Sequence, residues 1–415
     1  MKIAALLVLC PLLILAEDTW PQWRGPSRDG QFIGGPWPAD LKPDHLRVAW
    51  RAELGPGYSG PVVASDRVFT TETQDKKLEV VRAWDRVTGR QLWKQEWEGA
   101  MSVPFFAKSN GDWIRATPAL SEGILYVAGM RDVLVALEAQ TGAVKWRKDF
   151  VGDLKSPLPA FGFVSSPLVD GDALYVQAGG GVMRLEKVTG TVVWRALQSE
   201  DGMMGSAFSS PVIASPAGRR QLIVQTRTEL AGLDLASGSV LWRQPIEAFR
   251  GMNILTPVVV GNRIVTSAYG GRTHAFDLVA ALDGTLRLMP AWEYKAQGYM
   301  TTPVVVDGHA YLHLRNQRAL CLDLSSGAEK WTSGEGFGKY WSLVANGESI
   351  LALDEKGDLL LLRANPSKID VVDRRRGSAQ ETWAHLAVAG KQVFIRDLEG
   401  LTVWNWTSEA APEQR

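Results

Sequence analysis

AWDRVTGRQLW, residues 83–93, places an acid before a Thr-Gly pair and a tryptophan four residues after the glycine. The same pattern returns as VALEAQTGAVKW (135–146), RLEKVTGTVVW (184–194), GLDLASGSVLW (232–242) and CLDLSSGAEKW (321–331). A pattern copied at intervals of about 45 residues indicates an array of one supersecondary unit. The unit reads most clearly over residues 114–150. IRATPAL, ILYVAG, VLVALEA and AVKWRKDF are short strands rich in Val, Ile and Leu, separated by turns that carry Ser-Glu-Gly, Arg-Asp and Thr-Gly. That is a four-stranded antiparallel meander, the content of one propeller blade.

Each unit opens on a small residue followed by proline, in SGPVV, ATPAL, SSPLV, SSPVI, LTPVV and TTPVV. The prolines are residues 61, 118, 167, 211, 257 and 303, and subtraction gives intervals of 57, 49, 44, 46 and 46. Proline cannot donate to a ladder and suits the first residues of a strand. Two further units, from Trp341 and from Trp383, lack the proline and bring the total to eight. The last is one strand short. LRVAWRAEL (46–54) is a spare strand whose Trp50 fits the fourth-strand tryptophan of the other units. The expected fold is therefore all-β: an eight-bladed propeller over residues 46–408, closed by the N-terminal strand pairing with the last blade. Closure removes the open edges on which sheets aggregate.

The repeated pattern then has a structural role. The glycine supplies positive φ to the turn between the third and fourth strands. Asp85, Asp234, Asp323, Glu138 and Glu186 are placed to accept from turn groups. Trp50, Trp93, Trp146, Trp194, Trp242, Trp292 and Trp331 are expected to dock between neighbouring blades with the indole N–H on a carbonyl. The seventh unit has no such tryptophan.

Met1-Lys2 followed by an apolar run from Ile3 to Leu15 and the small Ala16 reads as a secretory signal, residues 1–16. The run is too short to span a bilayer, so no transmembrane segment is expected and the protein should be secreted or periplasmic. Residues 17–45, with Trp20, Trp23 and Trp37, are expected to pack on the propeller, and 409–415 to form a tail. Of the two cysteines only Cys321 survives removal of the signal, which excludes an internal disulfide. Lys plus Arg and Asp plus Glu both number 45, and no long one-sign run occurs. Nucleic acid and anionic membrane are thereby disfavoured as main partners. His309 and His313 share a strand face about 13 Å apart, too far for a metal pair without help. The expected metal content is none, and the expected state a monomer.

Loops that lead from one blade's outer strand to the next blade's inner strand all emerge on one face. Here they are rich in Gly, Met and aromatics: GAMSVPFFAKSNGDW (99–113), GDLKSPLPAFGF (152–163), DGMMGSAF (201–208), FRGMN (249–253), QGYM (297–300) and GFGKYW (336–341). Tyr58, Arg115, Phe163, Phe208, Asn253, Tyr299, Tyr340, Trp341, Trp383 and His385 fall near the starts of the inner strands. They are expected to line a funnel that binds a protein segment or a carbohydrate-like ligand.

Ala83, Asp85, Thr88, Gly89 and Trp93 match the A-x-D-x-x-T-G-x-x-x-W blade motif, and the chain resembles the pyrroloquinoline quinone (PQQ) repeat propellers over nearly all of residues 46–406. WPQWRGPSRDG (20–30) is similar to the N-terminus of secreted bacterial members. The resemblance implies the propeller fold and two possible roles. One is a cofactor-free binding or assembly scaffold, of the kind found in outer-membrane β-barrel assembly. The other is a PQQ- and calcium-dependent alcohol or sugar dehydrogenase, for which Arg115 and Asn253 would be polar contacts to the quinone. The vicinal cysteine pair of the dehydrogenases is missing, so the scaffold is the main reading and no cofactor is expected.

Overall fold

The computed structural model describes residues 18–199 and 205–407. The signal-like residues 1–16 and the tail 409–415 lie outside them. Eight four-stranded antiparallel sheets follow one another along the chain. Blade 1 is formed by Val62–Val63, Arg67–Gln74, Leu78–Asp85 and Gln91–Glu98. Blades 2 to 7 repeat that order from Ala119, Leu168, Val212, Val258, Val304 and Trp341. Blade 8 takes its inner three strands from Ala387–Ala389, Gln392–Arg396 and Gly400–Trp406. Its outer strand is Leu46–Glu53, paired from Leu46 opposite Trp406 to Glu53 opposite Gly400 with a bulge between Val48 and Trp50. The ring is closed as the sequence indicates.

The docking tryptophans explain the repeated pattern. In each blade that carries one, the ladder bulges beside the tryptophan, as between Ala83 and Trp84 opposite Trp93 and between Ala136 and Leu137 opposite Trp146. A bulge turns a side chain out of its regular direction, here towards the next blade. Trp93 Nε1 donates to Ala139 O, Trp146 to Lys187 O, Trp194 to Leu235 O and Trp50 to Arg86 O. The ring lies on the turn glycine of that next blade. A Cβ on Gly142 would sit 2.6 Å from Trp93, and one on Gly89 2.6 Å from Trp50. The glycine is needed twice over, for φ near +70° and for the close approach.

The exceptions obey the same physics. Trp242 faces a blade whose turn has no glycine under the ring, and its indole donates to Gln221 of its own blade instead. In blade 7 the tryptophan position, opposite Leu361, is Asp373. Blade 8 has no turn between its third and fourth strands, because the chain's two end segments meet there. Asp373 accepts from Leu41 N at 2.8 Å, and Arg375 donates to Leu41 O and Leu46 O. A polar clasp on the arriving segment thus replaces the indole. The turn acids divide by length. Asp85, Asp234 and Asp323 accept backbone N–H and hydroxyl groups, which hold their carboxyls below the usual range. Glu138 and Glu186 reach only the threonine hydroxyls.

The small residue before each proline has a role the sequence did not disclose. Thr117 N donates to Ser166 Oγ, Ser166 N to Ser210 Oγ, and Ser210 N to Thr256 Oγ1. Gly60 N donates to Thr117 Oγ1, Thr256 N to Thr302 Oγ1, Trp341 N to Thr301 Oγ1 and Leu386 N to Ser342 Oγ. A belt of amide–hydroxyl bonds therefore joins successive inner strands around the channel. At the last junction Gly60 passes where a Cβ would lie 2.7 Å from His385 O.

Asp132, in the second hairpin of blade 2, is buried; Oδ2 accepts Gly179 N from blade 3 and Oδ1 has no partner. Burial pushes its pKa up to about 7. Its folded pKa exceeds the unfolded value, so its contribution is intact in acid and is lost as pH rises from about 4 to about 7. Asp132→Asn should therefore raise the melting temperature at pH 8, by the equivalent of about 2–4 kcal/mol, and should change it little at pH 4. An equal change at both pH values would rule out ionisation as the cause.

Candidate functional site

The inner-strand starts and the 4-to-1 connectors surround a cavity of about 420 Å³ on one face of the ring. Its lining comes from the eight connectors, one hairpin and the N-terminal segment, so no single stretch of sequence encodes it. Tyr58, Arg115, Phe208, Tyr299, Tyr340, Trp383 and His385 all line it, as the sequence placed them. Tyr58 sits 5.8 Å from the Trp383 ring, and Tyr340 stacks on Trp383 at 6.2 Å with planes 13° apart. Phe161 and Phe208 meet at 5.4 Å, and Tyr269 and Tyr299 at 5.5 Å. Phe106 and Phe249 form the outer lip, each half or more exposed, and Phe105 projects beyond them at 85% exposure. Burial drives the Tyr58 hydroxyl up to about 12, so it stays protonated.

Three expected site residues lie elsewhere. Phe163 is buried between blades 2 and 3, edge-on to Phe150 at 6.2 Å. Asn253 is buried and its amide donates to Thr226 O, Arg227 O and Ile246 O, which fastens its connector to the blade 4 hairpin. Trp341 begins an inner strand but packs on Phe337 at 4.4 Å and on His313 at 5.3 Å, with Nε1 donating to Asp354. All three sit where a connector turns inward, and a large side chain there is taken by the core before it can reach the channel.

Sequence reasoning also missed contributors. Phe106, Phe161 and Phe249 stand in the quoted loops but were not singled out. Tyr269 comes from a hairpin between second and third strands, which opens on the same face as the connectors. A further contributor is the N-terminal segment. Trp20 bridges Val63 of blade 1, and Pro21 O accepts Leu120 N of blade 2. Arg24 donates to Thr302 O and Pro303 O of blade 6, while Arg28 donates to Ser166 O and Pro167 O of blade 3. Phe32 N reaches Ala345 O of blade 7. The segment crosses the channel from wall to wall, and Trp23, edge-on to His385 at 6.0 Å, forms the cavity's floor. The cavity is blind. Burial lowers Arg24 to about 10 and Arg28 to about 9, which leaves both charged at neutral pH.

The electrostatics of the lining are one-sided. Among the described residues Arg115 and Arg250 contribute charge, and no carboxylate lines the cavity. Burial depresses His385 to about 3, and its Nδ1 meets Leu386 O at 2.8 Å. Nδ1 is therefore the donor, and Nε2 is buried.

These residues do not fit a calcium-bound quinone. Such a site needs oxygen donors around a hard cation. Among the described residues the lining supplies none from a carboxylate, and no group of three or more His, Cys, Asp or Glu can hold a metal. Asn253, one of the two expected quinone contacts, has its amide committed to the connector. Cys321 is buried in the core between blades 6 and 7.

The sequence profile described as outer membrane protein assembly factor BamB matches residues 77–333. BamB from Moranella endobia is 24% identical over 336 residues, covering 77% of this chain and 78% of the relative. Among solved structures, BamB from Moraxella catarrhalis aligns with a TM-score of 0.62 at 15% identity, over 88% of this chain and 99% of that one. The quinohemoprotein alcohol dehydrogenase from Comamonas testosteroni aligns at 0.63 and 13% identity, over 99% and 84%. At those identities the structural likeness is one of fold alone.

Proposed function

Since the chain belongs to the family of outer membrane protein assembly factor BamB, we infer that it is a non-catalytic scaffold that holds a protein segment on its aromatic face, in the periplasm or outside the cell. The observation that carries the reading is the blind cavity ringed by Tyr58, Tyr299, Tyr340 and Trp383, with Phe105, Phe106 and Phe249 exposed at its lip. Aromatic side chains give large contact area at small entropic cost, and exposed apolar clusters of this kind mark binding sites. The family relatives are named as assembly factors, which supports a protein partner. Oxidation through a quinone has no donor set to hold it.

A photo-crosslinker placed at Phe249 should capture a protein partner, and one at Val87, an exposed turn residue on the opposite face, should not. Combining Phe106→Ala, Tyr299→Ala and Trp383→Ala, none of them fully buried, should reduce capture by about tenfold or more while leaving the melting curve near that of the parent. Undiminished capture by the triple variant, or capture only from Val87, would sink the assignment.

A further inference from the structure

The reading above leaves open what kind of segment the face selects, and the guanidinium groups answer that. Arg115 lies over the Tyr58 ring at 5.3 Å. Arg250 lies over Phe106 at 5.4 Å and over Phe249 at 5.2 Å. Arg315, from the second hairpin of blade 6, lies over Tyr269 at 4.7 Å. Every aromatic beneath them lines the cavity. Among the described residues none of the three forms an ion pair, although many other arginines of the chain do. Of the neighbouring carboxylates, Glu381 accepts the Trp383 indole and Asp112 accepts Val103 N, and neither pairs with a guanidinium of the face. Asp112 still bears electrostatically on Arg115.

Two details show that this positive charge is built in. Arg250 holds φ 54° and ψ 26°, a left-handed conformation costly for a residue with a Cβ. Its carbonyl accepts from Arg227 at 2.7 Å, and its guanidinium is left between two phenyl rings. Arg115 is largely buried; its Nη2 donates to Gly111 O, and its Nε has no partner.

We propose that the face selects an acidic peptide segment, an apolar side chain seated in the cavity and flanking carboxylates on Arg115, Arg250 and Arg315. The inference rests on the scaffold reading and adds the chemistry of the partner. Aromatic platforms fix the guanidinium planes, and a carboxylate then takes two parallel N–H groups. A small acid does not satisfy the arrangement, since the three cations come from three different segments and the exposed phenylalanines extend beyond the cavity. The neutral overall charge disfavours nucleic acid.

The test uses the purified mature chain and three capped peptides, each with one Phe flanked on both sides by two residues of Asp, Asn or Lys. Binding is read by calorimetry at low and high salt, with phenylacetate and an oligothymidylate as further probes. The Asp peptide should bind at least about tenfold tighter than the Asn peptide, the gap should narrow in salt, and the Lys peptide should bind weakest. Arg250→Gln with Arg315→Gln, both at exposed positions, should erase the Asp preference, so that the Asp and Asn peptides bind the variant with equal affinity. Equal affinity for Asp and Asn peptides overturns the proposal while leaving the scaffold reading intact. So does binding of neither peptide up to millimolar concentration by a chain that still yields the Phe249 crosslink. Tighter binding of phenylacetate or of the oligonucleotide than of the Asp peptide overturns it as well.

Discussion

Replacing Arg24 and Arg28 together by alanine will destabilise the protein by on the order of 4–6 kcal/mol and release its N-terminal segment. Both side chains are buried and reach backbone carbonyls on opposite walls of the channel, Arg24 at 2.8 and 2.7 Å and Arg28 at 3.1 and 2.7 Å. Truncation leaves those carbonyls without donors and empties the space under the hydroxyl belt. Charge-assisted hydrogen bonds contribute more than neutral ones, and a buried group stripped of its partner bears the full desolvation cost. Denaturant titration measures the first effect. Chymotrypsin measures the second, since Trp20 and Trp23 become accessible when the segment lifts. A variant cut no faster than the parent would mean that the backbone anchors at Trp20, Pro21 and Phe32 hold the segment without the arginines.

Gly89→Ala is the second large effect, and its argument needs a control. Alanine at Gly89 faces two penalties. The backbone there is left-handed at φ 70°, and the new Cβ would lie 2.6 Å from the Trp50 ring. Gly123 carries the first penalty without the second, with φ 77° and nothing within 4 Å of its Cβ. Gly123→Ala should cost about 1 kcal/mol, and Gly89→Ala about 2–4 kcal/mol. The difference isolates the blade-to-blade contact. Because Trp50 lies on the closing strand, the Gly89 variant should also open the ring at the junction of blades 8 and 1. Equal costs for the two variants would show that the tryptophan yields freely and that the close approach is not what the glycine serves.

Blade number, strand order and closure were legible because each depends on local, repeated chemistry: Thr-Gly for a turn, Trp for a dock, proline before a ladder. The same motifs showed where a copy was absent, though not why. Asp373 stands in for tryptophan because blade 8 offers no turn to dock on, a fact of topology rather than composition. The hydroxyls ahead of the prolines were visible as small residues, and their bonds appear only once neighbouring inner strands are side by side. Site residues were legible in proportion to their freedom. Tyr58, Tyr299 and Trp383 sit on connectors and pack on other aromatics of the cavity wall, whereas Phe163 and Trp341 are taken into the core between blades. Tyr269 escaped because a hairpin between second and third strands carries no mark that says which face it shares. The path of residues 18–32 was hidden because arginines that bind backbone carbonyls leave no complementary side chain to find.

The pairing of Leu46–Glu53 with Gly400–Trp406 sets an order on the life of the chain. By subtraction the gap from Glu53 to Gly400 is 347 residues, so the earliest strand to be synthesised is among the last to gain a partner. The entropy of closing so long a loop is modest, since each doubling of length adds only about 0.6 kcal/mol. Time is the scarcer quantity: distant pairings form slowly, and an unpaired edge invites other chains meanwhile. A chain that stops anywhere before Gly400 keeps two bare edges and lacks the floor-to-wall brace of a closed ring. Completeness is therefore written into stability itself, and a protease that removes open rings will discard unfinished molecules without reading their sequence.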